Sequence, residues 1–167
     1  SIAFFLIACL FPLTCLSQAK DNCNSKVEDI YNDIIESVGN KTPVKPRLKI
    51  TDSKSRVAYI SRGEISIEQK TIDLFCQEEN FESKIAYILS HEIAHHYLRH
   101  DWMKNSGLLY NSEIKDFVRN NNDSIQRKIA ETEADAFAGF FSLKAGYKSL
   151  NYAEEVLTRL YKEYKIP

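Results

Sequence analysis

The sequence predicts an α+β fold, mainly helical with one small β-sheet. Several segments repeat apolar residues at three- and four-residue spacing, the period of a helix with one buried face. A single stretch from Arg47 to Ile67 is instead built of short runs rich in β-branched residues, separated by turns. The chain has 167 residues, the size of one domain with a short appendage. Hydrophobic residues at 44% and aromatics at 11% supply a core, which excludes a wholly disordered chain. A formal net charge of −1 removes the basic surplus of a simple nucleic-acid binder. No solenoid, collagen or coiled-coil period is present.

Residues 1–19 carry no charge; every Asp, Glu, Lys and Arg lies from Lys20 onward. The apolar stretch Ile2–Leu16 has the length of a signal-peptide core and is short for a span of roughly 20 residues. Ser17-Gln18-Ala19 puts small residues where cleavage after Ala19 needs them. We therefore expect a signal peptide over 1–19 with a clipped start, and a domain over 20–167 that is exported, periplasmic or secreted. An uncleaved segment that tethers the domain to a membrane is the alternative. Leu6-Ile7-Ala8-Cys9 loosely resembles a lipobox, but the apolar run continues past Cys9. Cleavage leaves Cys23 and Cys76, which form either one disulfide or two buried thiols; spacing does not choose. Asn40-Lys41-Thr42 and Asn122-Asp123-Ser124 fit the glycosylation sequon.

Along the rest of the chain, Val27, Ile30, Tyr31, Ile34, Ile35 and Val38 predict an amphipathic helix over Ser25–Val38, closed by Gly39-Asn40. Pro43 and Pro46 enforce an extended connector. Arg47–Thr51, Arg56–Ile60 and Glu64–Ile67 read as a small sheet with at least one hairpin. A short helix follows around Glu68–Phe75. Phe81–Trp102 is helical again, with Ile85, Ile88, Leu89, Ile93, His96 and Tyr97 on or beside one face and no Gly or Pro inside. Asn105–Gly107 breaks the pattern, Leu108–Arg119 reads as a further helix, and Asn120–Asp123 as a polar loop. Ser124 is placed to cap a long helix to about Ala145, with Gly146 just past its end. Tyr152–Tyr164 is the last amphipathic helix.

The chemistry is concentrated at His91-Glu92-Ile93-Ala94-His95, an HExxH pattern inside a predicted helix. Residues i and i+4 lie one turn apart on one face, so both imidazoles can bind one ion. Glu92 stands beside the first ligand and can reach a water on that ion without ligating it. Neutral imidazole suits Zn²⁺, and a catalytic zinc keeps three protein ligands plus a water. A five-residue pattern with three fixed positions also arises by chance on solvated helix faces. Here Ile93, Ala94 and Tyr97 make the surroundings apolar, and two histidines with a carboxylate need a partner there to offset desolvation.

Two sources compete for the third ligand. In the extended pattern HExxHxxGxxH/D the residue six beyond the second histidine returns to the metal, which is Asp101 here. The glycine position, however, is Leu98, and Met103 comes too soon for a Met-turn. The other source is Ile129-Ala130-Glu131-Thr132-Glu133-Ala134-Asp135 on a second helix. Glu131 and Asp135 share a face with Ala130, Ala134 and Ala138, small residues that permit close helix packing. Glu131 can ligate while Asp135 accepts a hydrogen bond from a ligand imidazole; Glu133 points elsewhere. The bland reading is a solvated acidic helix start.

With these residues in hand, the sequence resembles the M48 (Ste24/HtpX-like) zinc metallopeptidases, a gluzincin group. The matching signature is His91-Glu92-x-x-His95 followed by Glu131-x-x-Ala134-Asp135, and Val57–Ile67 is similar to the family's edge strand and hairpin before the motif helix. The resemblance covers about Arg47 to Tyr147. It implies His91, His95 and Glu131 as zinc ligands, Glu92 as general base and Asp135 as the partner of a ligand. It also implies a polypeptide substrate lying extended beside an edge strand, with its scissile bond over the zinc. His100 matches a histidine frequent in the family, and neither it nor His96 has an assigned role. The chain has no spanning segment after residue 19, unlike the integral-membrane members, which places it with soluble exported ones.

The expected function is therefore zinc-dependent endopeptidase activity with Glu92 as general base. A zinc-bound peptide-binding or chaperone-like module with little proteolysis is the alternative, and a metal-free helical interaction domain is a third reading. No nucleic-acid partner is expected.

Overall fold

The computed structural model describes residues 13–39, 45–52, 56–61, 63–98 and 123–165. The expected Leu108–Arg119 helix, both sequons, His100 and Asp101 fall wholly or partly outside these residues. The observed elements are α1 (Leu13–Val38), β1 (Arg47–Thr51), β2 (Ala58–Ser61), β3 (Glu64–Glu68), α2 (Gln69–Phe75), α3 (Phe81–Tyr97), α4 (Asp123–Lys144) and α5 (Ala153–Tyr164), with a 3-10 turn at Ser149–Tyr152 before α5. The balance is helical with one three-stranded sheet, an α+β architecture.

Helix α1 differs from expectation at its start. It runs unbroken from Leu13, twelve residues before Ser25, so Ala19, where cleavage was expected, lies within the helix. No Gly or Pro occurs between Leu13 and Val38 to stop it. No helix of the described residues is long and apolar enough to cross a membrane. The inward stripe of α1 is the predicted one: Val27, Ile30, Tyr31, Ile34, Ile35 and Val38 are all buried.

The sheet has the order β1-β3-β2, with β1 parallel and β2 antiparallel to central β3. Gly63, at φ +76°, supplies the left-handed residue that the tight β2–β3 connection requires. Register pairs Leu48 with Ile65, Ile50 with Ile67 and Ile60 with Ile65, so one sheet face is aliphatic. That face joins the core made by α1, α2 and α3. Cys23 and Cys76 are disulfide-bonded with Cα atoms 5.9 Å apart, joining α1 to the cap of α2; the alternative of two free thiols is set aside.

Helix α3 is the centre of the molecule, with Ile85, Ala86, Leu89, Ile93 and Ala94 fully buried. It is observed to Tyr97 with Leu98 as its cap, and the remaining residues predicted to extend it lie outside the description. Helix α4 packs on it, with Ala134 and Ala138 joining the same core cluster. It begins at Asp123, so Ser124 is inside the helix rather than its cap. Its other end closes as expected: Gly146 donates to Leu143 O and Tyr147 to Ser142 O, the pairing of a Schellman ending. Helix α5 is held by Val156 and Leu160 in the core and by an ionic cluster. There, buried Lys84 of α3 reaches Glu78 at 2.7 Å and Glu155 of α5 at 2.6 Å, while Arg159 pairs with Glu78.

Candidate metal centre

The two histidines of the HExxH pattern project from one face of α3, as their four-residue spacing requires, with ring centroids 4.7 Å apart. Glu131 arrives from α4, because the alanines beside it let the two helices approach closely. His91 Nε2 lies 3.0 Å from His95 Nε2 and 3.2 Å from Glu131 Oε2, and His95 Nε2 lies 3.5 Å from the same oxygen. These three residues form a group able to hold a metal ion.

The dimensions fit a small tetrahedral ion. Donor atoms about 2.0–2.1 Å from such an ion stand about 3.3–3.4 Å from one another, close to each side of the observed triangle. The donor set, two imidazoles and a carboxylate, leaves a fourth position for water. Glu131 is 60% exposed, so the group opens toward solvent.

Asp135, one turn beyond Glu131, addresses the opposite side of the His91 ring. Its Oδ1 lies 2.9 Å from His91 Nδ1. A carboxylate only accepts hydrogen bonds, so Nδ1 carries the proton, and in a neutral ring Nε2 turns a lone pair toward the triangle. Lone pairs and a carboxylate oxygen held this close repel one another unless a cation sits among them. Burial disfavours charge on His91, but hydrogen bonds to Asp135 and Glu131, with the charges of Glu92 and Asp135, push its pKa up to about 10. Hydrogen bonds to His91 and His95 hold the Glu131 carboxyl far below the ordinary range, and the one to His91 lowers that of Asp135.

Glu92 sits beside His91 on α3, partly buried and near enough for its charge to act on that ring. Glu133 is exposed. The structure therefore brings together His91, Glu92, His95, Glu131 and Asp135, whereas Asp101 lies outside the described residues. It adds one residue that the motif analysis missed. Tyr87, buried one turn before His91, donates its hydroxyl to Asp135 Oδ1 at 3.0 Å. Burial, then the neighbouring Asp135 charge, pushes its pKa well above the ordinary phenol value. The available signal was its position four residues before His91, on the same helix face.

No protein family matches the chain, and no curated protein or solved structure does so either.

Proposed function

We propose that this chain is a gluzincin-like, zinc-dependent endopeptidase, with His91, His95 and Glu131 as the ligands and Glu92 as the general base. The observation that carries the reading is the triangle of three donor atoms, spaced for a tetrahedral ion, with His91 oriented by Asp135.

Zinc bound there supplies Lewis acidity toward the scissile carbonyl and lowers the pKa of a bound water. Glu92, next to a ligand but outside the triangle, takes the proton of the attacking water and passes it to the leaving amine. Asp135 keeps His91 in the tautomer that ligates. The substrate is a polypeptide in extended form. Strand β2 supports this: it is an edge of the sheet, and it packs against the ligand-bearing α3, whereas the other edge, β1, packs toward α1. A peptide added to that edge gains main-chain hydrogen bonds whatever its sequence. The Cys23–Cys76 disulfide supports folding in an oxidising, exported setting.

Metal content by mass spectrometry of the purified protein, beside Glu131→Ala, is the test. We expect about one zinc per chain in the wild type, from the three-ligand geometry, and its loss in the variant. A folded wild type without zinc would overturn the reading. Full metal in Glu131→Ala would move the third ligand elsewhere.

A further inference from the structure

Resting on the zinc reading above, we propose that Tyr87 is a positioning residue of the metal centre, whose hydroxyl holds Asp135 in the orientation that aims His91 Nε2 at the ion.

Asp135 Oδ1 accepts from two donors on α3 that are one turn apart, Tyr87 Oη at 3.0 Å and His91 Nδ1 at 2.9 Å. The Asp135 side chain is 46% exposed, so water competes for it and its carboxylate has freedom to turn outward. A single hydrogen bond from His91 leaves that rotation open. A second donor, fixed in the protein, removes it. Tyr87 is suited to the task because only 4% of it is exposed and its ring is packed in the core, leaving the hydroxyl at the core's edge beneath the carboxylate. The hydrogen bond thus transfers the rigidity of the α3 core to a half-solvated carboxylate on α4, and through it to the ligand.

The test is zinc affinity by competition with a chelator for wild type, Tyr87→Phe, Asp135→Asn and the double variant, all as the full chain. Phe keeps the buried ring and deletes only the donor. We expect Tyr87→Phe to weaken zinc binding roughly 3–10-fold, less than the 10–100-fold typical when a ligand's direct partner is removed. In the Asp135→Asn background the same change should have no further effect, because the carboxylate through which Tyr87 acts is gone. A bond that merely ties two helices together would shift the unfolding temperature of the metal-free protein and leave affinity alone. Unchanged or tighter zinc binding in Tyr87→Phe, or an equal loss in both backgrounds, overturns the proposal. Should Tyr87→Phe not fold, Tyr87→Met, which is also donor-free and adapts to irregular space, takes its place in the four-way comparison. A wild type that takes up no zinc overturns the metal reading itself. Wild-type binding with the wrong coupling pattern overturns only the role of Tyr87.

Discussion

At the residue scale the centre is a problem in charge placement. Glu131 and Asp135 both belong to α4, four residues apart, and both meet His91 from α3. Glu92 adds a third acidic group beside the same ring. A cation is needed, whether proton or metal. The metal-free protein should reveal this through pH. His91 has its pKa raised above the ordinary 6.5 to about 10, so its contribution to stability is complete below 6.5 and disappears as pH rises through 10. Glu131 and Asp135 are depressed below 4.5 and 3.8, so theirs is present above those values and lost as pH falls. This cluster therefore stabilises the metal-free fold most between pH 4.5 and 6.5. Thermal unfolding in chelator across pH should show melting temperature declining from 6.5 toward 10; a His91→Ala variant that declines identically would dissociate the effect from His91. Glu92 is tested differently, because the role proposed for it is kinetic. Glu92→Gln keeps size and neighbours but loses the basic oxygen. It should retain zinc and lose hydrolysis by at least the 10²–10⁴-fold that general-base catalysis supplies, read as kcat on a peptide substrate. Undiminished kcat would remove Glu92 from that role.

At the scale of elements, the interface between α3 and α4 makes the centre possible. Ala130, Ala134 and Ala138 form the buried face of α4, and Glu131 and Asp135 flank it. With larger residues the helices would stand further apart, and Glu131 would miss the histidines. Ala134 is fully buried between the two acidic residues, which makes it the informative position. Ala134→Leu should cost about 1–3 kcal/mol by overpacking. It should also weaken zinc binding although it alters no ligand. Destabilisation with wild-type metal affinity would mean that helix separation does not govern the site. Close packing recurs at Gly139, where an added Cβ would lie 2.6 Å from the Leu150 side chain. The outer side of α4 nonetheless leaves Ile129, Phe140 and Leu143 exposed, so this helix is apolar on more than one face.

Across the whole molecule, the disulfide and the candidate metal site lie in different parts of the chain. Cys23 and Cys76, 53 residues apart, close a loop that contains the sheet, most of α1 and all of α2. All three proposed ligands lie outside that loop. Replacing both cysteines by serine should therefore cost about 2–5 kcal/mol in global stability. Metal stoichiometry should not change. Denaturant unfolding with metal analysis of the folded variant checks both, and metal loss from a still-folded variant would contradict this separation. The ionic cluster of Lys84, Glu78, Glu155 and Arg159 adds a second tie, fastening α5 to the start of α3.

Much of this was legible in the sequence for physical reasons that can be named. Helix faces were readable because burial imposes a 3.6-residue period, which fixed the core stripe of α1 and the placement of His91 and His95 on one side of α3. The β2–β3 hairpin followed from β-branched runs around Gly63. Glu131 and Asp135 stood out because acidic residues on an alanine-rich face need a reason to be there. Other features depend on contacts between segments far apart in sequence. The role of Tyr87 depends on α4, which brings Asp135, 48 positions downstream, to its hydroxyl. Pairing of Cys23 with Cys76 needed the docking of α1 on α2, since spacing carries no geometry. The Lys84 cluster likewise required α5 to fold back. By itself the sequence determined which residues could bear the chemistry, because periodicity and residue type are local properties. Only the tertiary structure decided that His91, His95 and Glu131 converge within ligand distance, because the separation of two helices is set by what packs between them.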